Sequence, residues 1–455
     1  MSDDGISVFG LGKVGAALVA ALTAAGYRVI GVDVNEALVG SLNDGSFRTS
    51  EPGVMDHLAR LTVGQFRATT QAEEAVANSV VSFIVVPTPA NSLGGFSNRY
   101  VEGTLEGIGH AAARKHGRHV VAVISTVLPR SSRMQLIPAL ERAAGRRIGD
   151  RLGYCYNPSF IAQGDVMKGL VQPEYVLIGE ADEASGGTVA AIHRQLVTNQ
   201  APAVRVTPTE AEITKIASNT HETMRVAFAN TLLALCNEVP EANVDRITHA
   251  LAYRLGHRFL KGAVPYGGPC WPRDNRAMAA FMDLIGVSST LPNAIDRANF
   301  EHGHYALSQV LNVAPRGARV GVLGLAYKPG TPMIDRSFGI DLAGWLIAEG
   351  RQVVGWDPMA NDEAAAALGD RITIADSPQE CLLCDVTVIA LPLPQLAPLD
   401  WSQAANTTII DCWRTLDVSQ RGYARKYIPL GIRDPRKSDP LEGTERGDRF
   451  AQLID

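Results

Sequence analysis

The sequence predicts an α/β protein: two Rossmann-like, doubly wound parallel-sheet domains joined by a central helical domain with a long helix. Three observations predict it. A glycine-turn pattern near the start is written again near the end. In both copies, runs of apolar β-formers are followed by Gly or Pro and then by a helical period, the signature of parallel β-α-β units. Between the copies the period turns helical for roughly thirty residues. The expected boundaries are 1–204, 205–300 and 301–455, and a chain of 455 residues is too long for one ordinary core.

Composition narrows the function classes. With 46% hydrophobic and 20% charged residues, the chain is that of a globular protein, and a formal charge of -5 supplies no basic field for nucleic acid. The opening "MSDDGISVFG" lacks a basic segment leading into a long apolar stretch, and no apolar run reaches the ~18 residues of a membrane span. Six cysteines in so long a chain make no disulfide framework, so a cytoplasmic protein is expected. Cys381 and Cys384 form a CxxC without a second Cys/His pair nearby, which favours packing over metal binding; no metal site is expected.

The repeat itself is explicit. "SVFGLGKVG" is echoed by "VGVLGLAYKPG", "VIGVDVN" by "VVGWDPM", and "FIVVPTP" by "VIALPLP". Gly10, Asp33 and Pro87 therefore correspond to Gly324, Asp357 and Pro392, in the same order but without a constant offset, as expected of similar units joined by loops of different length.

In the first copy Gly10, Gly12 and Gly15 form GxGxxG between a strand and a helix, with Val14 inside the motif and Asp33 closing the next strand. The glycines permit a tight turn and close approach of a pyrophosphate to a helix N-terminus, and the aspartate would accept ribose hydroxyls. Asp33 would repel a 2′-phosphate, so NAD is favoured over NADP. "VVPTP" and "ISTVLP" each end an apolar strand at a turn, which places Pro87, Thr88 and Thr126 at the nicotinamide side.

The helical stretch begins "TPTEAEITKIASN", where Thr207 is placed as N-cap, Pro208 as first helical residue and Glu210 as the capping-box partner. It runs to about Glu238 before Pro240 and would span about 45 Å at 1.5 Å per residue. Lys215 and Asn219, four apart, share one face and could hold a substrate hydroxyl or a water. Downstream, "YGGPCWPRDNRAMAAFMDLIG" puts Cys270 at the start of a helix and Asp274 one turn into it. A thiol at the positive end of a helix is favoured as thiolate, and the Gly267–Gly268 pair would let backbone approach a ligand closely.

Together these residues resemble the UDP-glucose/GDP-mannose dehydrogenase family of nucleotide-sugar dehydrogenases. The resemblance runs through nearly the whole chain: GLGKVG, VPTP, STV, "YNPSFIAQGDVMKGLVQPEYVLIGE", KIASN, "RFLKGAVPYGGPCWPRD", "LGLAYKPGT" and "VVGWDP". It implies a four-electron oxidation of a sugar C6 alcohol to a carboxylate with two NAD⁺, most readily on a UDP-glucose-like substrate. Lys215 would assist deprotonation, Asn219 and Asp274 would hold a water, and Thr126 would belong to the same catalytic group. Cys270 would capture the aldehyde as a thiohemiacetal, which a second hydride transfer converts to a thioester for hydrolysis. The resemblance also places Phe160, Ile161, Ala162 and Gln163 beside the substrate, with Gly267. Phe259, Leu260 and Lys261 would close over the nucleotide sugar, Lys328 would contact it from the C-terminal domain, and Arg254 would be lent by the neighbouring subunit of a homodimer.

The chain departs from the family pattern at N-P-E-F and at a glutamate four residues after the first: here Ser159 and Gln163 stand at those positions. The first glutamate is the expected general base for thioester hydrolysis, and neither serine nor glutamine supplies one. Asp335 replaces an arginine seven residues after Lys328, and Pro265 replaces a glycine. Alternatives stay open at this point: a dehydrogenase whose thioester is hydrolysed slowly or passed to another acceptor, a non-catalytic regulator binding NAD and nucleotide sugar, or a two-electron hydroxyacid dehydrogenase, against which the thiol element and the third domain argue.

Overall fold

The computed structural model describes residues 5–62 and 64–433, together with 439–440, 442, 444–446, 449 and 452. The strands of the first sheet are β1 (Ile6–Phe9), β2 (Val29–Val32), β3 (Phe66–Thr69), β4 (Val81–Ile84), β5 (His119–Val123), β6 (Leu152–Tyr156), β7 (Val176–Glu180) and β8 (Ala203–Val206). Those of the second are β9 (Arg319–Leu323), β10 (Gln352–Trp356), β11 (Ile372–Ile374), β12 (Val386–Ile389), β13 (Thr408–Asp411) and β14 (Lys426–Pro429).

The two sheets share a topology. The first runs β3-β2-β1-β4-β5-β6-β7-β8 and the second β11-β10-β9-β12-β13-β14, so the textual repeat is a repeat of doubly wound units with the strand order reversing at β1/β4 and β9/β12. One pairing departs from the all-parallel expectation. β7 runs antiparallel to β6, with Cys155 opposite Glu180 and Tyr156 opposite Gly179, and β8 then follows β7 in parallel.

The chain forms two compact units, residues 1–218 with 280–286 and residues 219–279 with 287–455. In the first, two apolar layers cover the sheet faces. One contains Leu18, Leu22 and Ile178; the other contains Leu105, Ile108 and Leu140. In the second unit Leu233, Cys236 and Val244 of the helical segment share one core with Val320, Val322 and Leu342 around the second sheet. The expected division at 204 and 300 differs from these units because that shared core ties the helical residues to the C-terminal sheet.

The long helix runs Pro208–Glu238. Its start is the expected capping box: Thr207 N–H donates to Glu210 Oε2 at 2.8 Å, and Glu210 N–H to Thr207 Oγ1 at 3.3 Å. A helix at Trp271–Leu284 follows Cys270, and another spans Thr290–Leu311.

A polar chain crosses the first sheet near the amino ends of its strands. Ser7 Oγ lies 2.7 Å from Ser82 Oγ, Ser82 Oγ lies 2.8 Å from His119 Nε2, and His119 Nδ1 lies 3.1 Å from the Ser79 carbonyl. Burial, with the Lys115 ammonium beside it, pushes the His119 imidazole down to about 3. An unfolded imidazole titrates near 6.5, so the neutral ring contributes stability that is whole above about that pH. The contribution is lost as pH falls toward the folded value, at about 1.4 kcal/mol per pH unit. Unfolding free energy measured from pH 6.5 down to pH 5 is expected to fall less steeply in His119→Gln, by close to one proton's worth of slope. An unchanged slope would show that His119 is not the titrating group.

Candidate active site

In the first unit the candidate residues gather at the carboxyl edge of the sheet, because each follows the end of a strand. Gly10 leaves β1 with φ +92°, and a β-carbon there would sit 2.3 Å from the Val85 carbonyl oxygen. A β-carbon on Gly15 would sit 1.8 Å from the Gly10 carbonyl oxygen, so this glycine sets the close approach of helix Lys13–Ala24 to its turn. Gly12 faces open space and is the helix N-cap, with no side chain capping the first turn. Val14 is half-buried and packs on the core behind. Asp33 Oδ2 accepts the Leu11 N–H at 2.7 Å and Oδ1 accepts the Asn35 N–H at 3.0 Å, which leaves acceptor capacity on a half-exposed carboxylate. These residues fit a dinucleotide: the N–H groups around Gly12 would hold the pyrophosphate and Asp33 the ribose hydroxyls.

The second copy of the motif is built differently. Asp357, which corresponds to Asp33, is 2% exposed. Its Oδ2 accepts Leu325 and Ala326 N–H at 2.9 and 3.0 Å, and its Oδ1 accepts Met359 and Ala360 N–H at 2.9 and 3.1 Å. The position of Gly12 is taken by buried Ala326, and helix Phe338–Ala348 begins only after the intervening loop that carries Lys328. The corresponding aspartate thus keeps acceptor capacity in one unit and is saturated by backbone N–H groups in the other.

Pro87 and Thr88 follow β4, and Thr126 follows β5. Thr88 Oγ1 donates to the Thr126 carbonyl at 2.7 Å, and Ser125 Oγ both donates to the Val86 carbonyl at 2.7 Å and accepts the Val86 N–H at 3.0 Å. The turn beyond is fixed by Glu212, which accepts the N–H groups of Arg130 and Ser132 at 2.6 and 2.7 Å. Burial raises the Glu212 carboxyl and those hydrogen bonds oppose the rise.

After β6, Lys215 Nζ donates to the Ser159 carbonyl at 2.9 Å and lies 4.8 Å from the Phe160 ring centroid. Ile161 packs toward the core against Gly169, Ala162 is exposed, and Gln163 Oε1 is buried with no hydrogen-bond partner among the described residues. Glu51, 4% exposed, supports this segment by accepting the Gly164 N–H with both oxygens at 2.9 Å.

In the second unit Asn219 Nδ2 donates to Asp274 Oδ2 at 2.6 Å. Arg273 Nε and Nη2 engage the other carboxylate oxygen at 2.9 and 2.8 Å, so Asp274, 1% exposed, is held from two sides. Asp274 N–H donates to the Cys270 carbonyl at 2.8 Å, which places the thiol residue directly before the first turn of its helix. Cys270 is exposed, whereas the other five cysteines are buried and burial raises each of their thiols. Cys381 and Cys384 point at backbone carbonyls of Val354 and Glu380 in the core of the second sheet.

The glycine pair beside the thiol serves protein packing. A β-carbon on Gly267 would lie 2.1 Å from the Arg336 carbonyl oxygen, and one on Gly268 2.7 Å from the Tyr327 ring. Gly268 N–H donates to the Asp335 carbonyl at 2.8 Å, which seats the thiol loop on the Lys328 loop. Leu260 is buried, Lys261 and Arg254 are exposed, and Phe259 is half-buried with φ +54°. Sequence reasoning missed Glu51, Ser125, Glu212 and Arg273. Each acts through a backbone or neighbouring group that carries no local pattern.

A glycine turn at a helix start in one unit and an exposed thiol at a helix start in the other fit an NAD-dependent oxidoreductase. The UDP-glucose/GDP-mannose dehydrogenase family matches in three parts: its NAD binding domain at residues 4–197, its central domain at 209–301 and its UDP binding domain at 321–418. The UDP-glucose 6-dehydrogenase AglM of Haloferax volcanii is 31% identical over 400 residues, covering 87% of this chain and 93% of that protein. A GDP-mannose 6-dehydrogenase of Pseudomonas syringae pv. tomato is 32% identical over 349 residues, 76% of this chain and 78% of its own. The structure of a UDP-glucose dehydrogenase from Pyrobaculum islandicum superposes with a TM-score of 0.85 at 31% identity, covering 94% of this chain and 98% of that one. The chain belongs to the UDP-glucose/GDP-mannose dehydrogenase family of nucleotide-sugar 6-dehydrogenases and is an NAD-dependent oxidoreductase acting on a CH–OH group. Among the described residues no helix is long and apolar enough to cross a membrane.

Proposed function

We propose that this protein oxidises the C6 alcohol of a UDP-hexose, most readily a UDP-glucose-like sugar, to the uronic acid with consumption of two NAD⁺. The observation that carries the reading is Cys270: one exposed thiol, at the start of a helix, one turn from an aspartate already bonded to Asn219. When bound, NAD⁺ accepts the hydride; the chain's own groups manage the proton and the carbon. Lys215, Asn219 and Asp274 hold the C6 hydroxyl and a water through which its proton leaves, with Thr126 at the nicotinamide side. The Cys270 thiolate then adds to the aldehyde carbon and the carbonyl oxygen takes a proton, giving a thiohemiacetal. Loss of a second hydride and the hydroxyl proton gives the thioester, and water releases the acid and the thiol.

Phe160 to Gln163, Phe259, Leu260, Lys261, Gly267 and Lys328 line the sugar nucleotide in this reading. Leu260 and Gly267 contribute backbone, since the side chain of the one is buried and the space beside the other is filled. The functional form is a homodimer, supported by apolar side chains exposed on the helical segment: Phe228 at 45%, Leu235 at 55% and Tyr253 at 81%. Arg254 adjoins Tyr253 and would reach the partner's site. NADH release across a panel of UDP- and GDP-sugars, on protein whose mass is measured by sedimentation, tests both statements. UDP-glucose is expected to be turned over best by a dimer; preference for a GDP-sugar, or a monomer with full activity, would overturn the corresponding one.

A second reading is favoured by Ser159 and Gln163: both oxidations proceed, but the Cys270 thioester is hydrolysed slowly or diverted to another acceptor. Glu51, the carboxylate packed against this segment, is committed to backbone N–H groups and is not placed to activate a water.

A further inference from the structure

The segment between helix Val244–Leu255 and the thiol helix is gripped by two guanidinium groups. Arg225, on the long helix, donates from Nε to the Arg258 carbonyl at 2.8 Å, from Nη1 to Leu255 at 2.8 Å and from Nη2 to Gly256 at 2.7 Å. At the other end Arg414, its side chain 4% exposed, donates from Nη2 to the Gly262 carbonyl at 2.6 Å. Its Nε and Nη2 also pair with Asp245 at 2.8 and 3.0 Å, and its Nη1 reaches the Cys412 and Leu430 carbonyls at 2.9 and 2.8 Å.

Between these clamps stands Phe259, with φ +54°, a left-handed backbone that a bulky side chain rarely adopts. Such residues persist only where their surroundings over-determine them, and carbonyls fixed on both sides do that. The purpose lies in the ring. Phe259 meets Trp271 edge-on, with centroids 4.9 Å apart and planes at 87°. Trp271 directly follows Cys270 and opens the thiol helix.

We propose that Arg225 and Arg414 are positioning residues: they hold residues 255–262 so that Phe259 braces Trp271 and thereby fixes Cys270 at the start of its helix. The catalytic consequence rests on the reading of Cys270 as nucleophile; the bracing itself does not. Three carbonyls pointing in fixed directions suit a planar fork of donors, and one ammonium cannot replace it.

The test uses the rate at which iodoacetamide alkylates Cys270 in the full-length protein, followed by peptide mass and repeated across pH. The other five cysteines are buried, so the readout is clean. In Arg225→Met and in Phe259→Leu the rate is expected to fall roughly tenfold near neutral pH, with the profile displaced to higher pH as the thiol loses its place at the helix start. Arg225→Lys should remain impaired, Phe259→Tyr should keep the parental alkylation rate whatever it does to sugar-nucleotide turnover, and added guanidinium ion should partly restore alkylation in Arg225→Ala. Parental alkylation rates and profiles in Arg225→Met and Phe259→Leu would overturn the proposal, even if NADH formation dropped. If Arg225→Met does not fold, Phe259→Leu decides, because it leaves both clamps in place. Altered alkylation in the brace variants, combined with NADH formation at the parental rate in Cys270→Ser, would sink the nucleophile reading and leave the brace standing.

Discussion

Replacing Cys270 with serine is expected to slow formation of the second NADH from the nucleotide sugar by at least about 10³-fold, or about 4 kcal/mol of barrier at 1.36 kcal/mol per decade. The argument is chemical. The second hydride can leave only from a tetrahedral carbon, and a thiolate at a helix start makes that carbon from the aldehyde far more readily than an un-ionised hydroxyl does. In the proposed reaction the first oxidation does not need the sulfur, so some NADH from alcohol oxidation should persist, with the aldehyde trapped by an added hydrazine. Cys270 is exposed and carries little of either core, so the melting temperature should move little. Parental turnover in Cys270→Ser would remove the thiol from the reaction, and collapse of the fold would reassign it to structure.

The architecture was readable in the sequence because its signals are local. Apolar runs ending in Gly or Pro named the strands, Thr207 and Glu210 named the start of the long helix, and the repeated order of Gly10/Gly324 and Asp33/Asp357 announced two units of one topology. What escaped was long-range. The run "YVLIGE" shows that β7 is a strand but carries no information on its direction, which is antiparallel to β6. Asp33 and Asp357 read alike, yet the second is saturated by four backbone N–H groups, two from Met359 and Ala360 just after it and two from Leu325 and Ala326 beyond the neighbouring strand. The Gly267–Gly268 pair gives no sign in the sequence of what it packs on, which is the Arg336 backbone and the Tyr327 ring. Arg225, Arg414 and Glu51 bind carbonyls or N–H groups far along the chain, and nothing in their own neighbourhoods distinguishes them from surface charges.

The final chemical step is where this chain should behave least like an ordinary hydrolytic dehydrogenase. In the proposed reaction, thioester cleavage at Cys270 needs a water made nucleophilic, and a positioned general base contributes roughly 10²–10⁴-fold to such a step. Ser159 supplies no basicity, Gln163 supplies none, and the Ser159 carbonyl is already occupied by Lys215 at 2.9 Å. Mixing enzyme with saturating UDP-sugar and NAD⁺ is therefore expected to give a burst approaching two NADH per thiol, followed by a steady rate at least about 10²-fold slower than the burst. Intact-protein mass during the slow phase should show Cys270 carrying the nucleotide-uronyl group. Hydroxylamine, a nucleophile that needs no base, should discharge that adduct as the hydroxamate and raise the steady rate. Ser159→Glu should raise it as well without altering the burst, because the oxidations precede the water step. Linear NADH release from the first turnover with no adduct on Cys270 would mean that some other group of this protein activates the water.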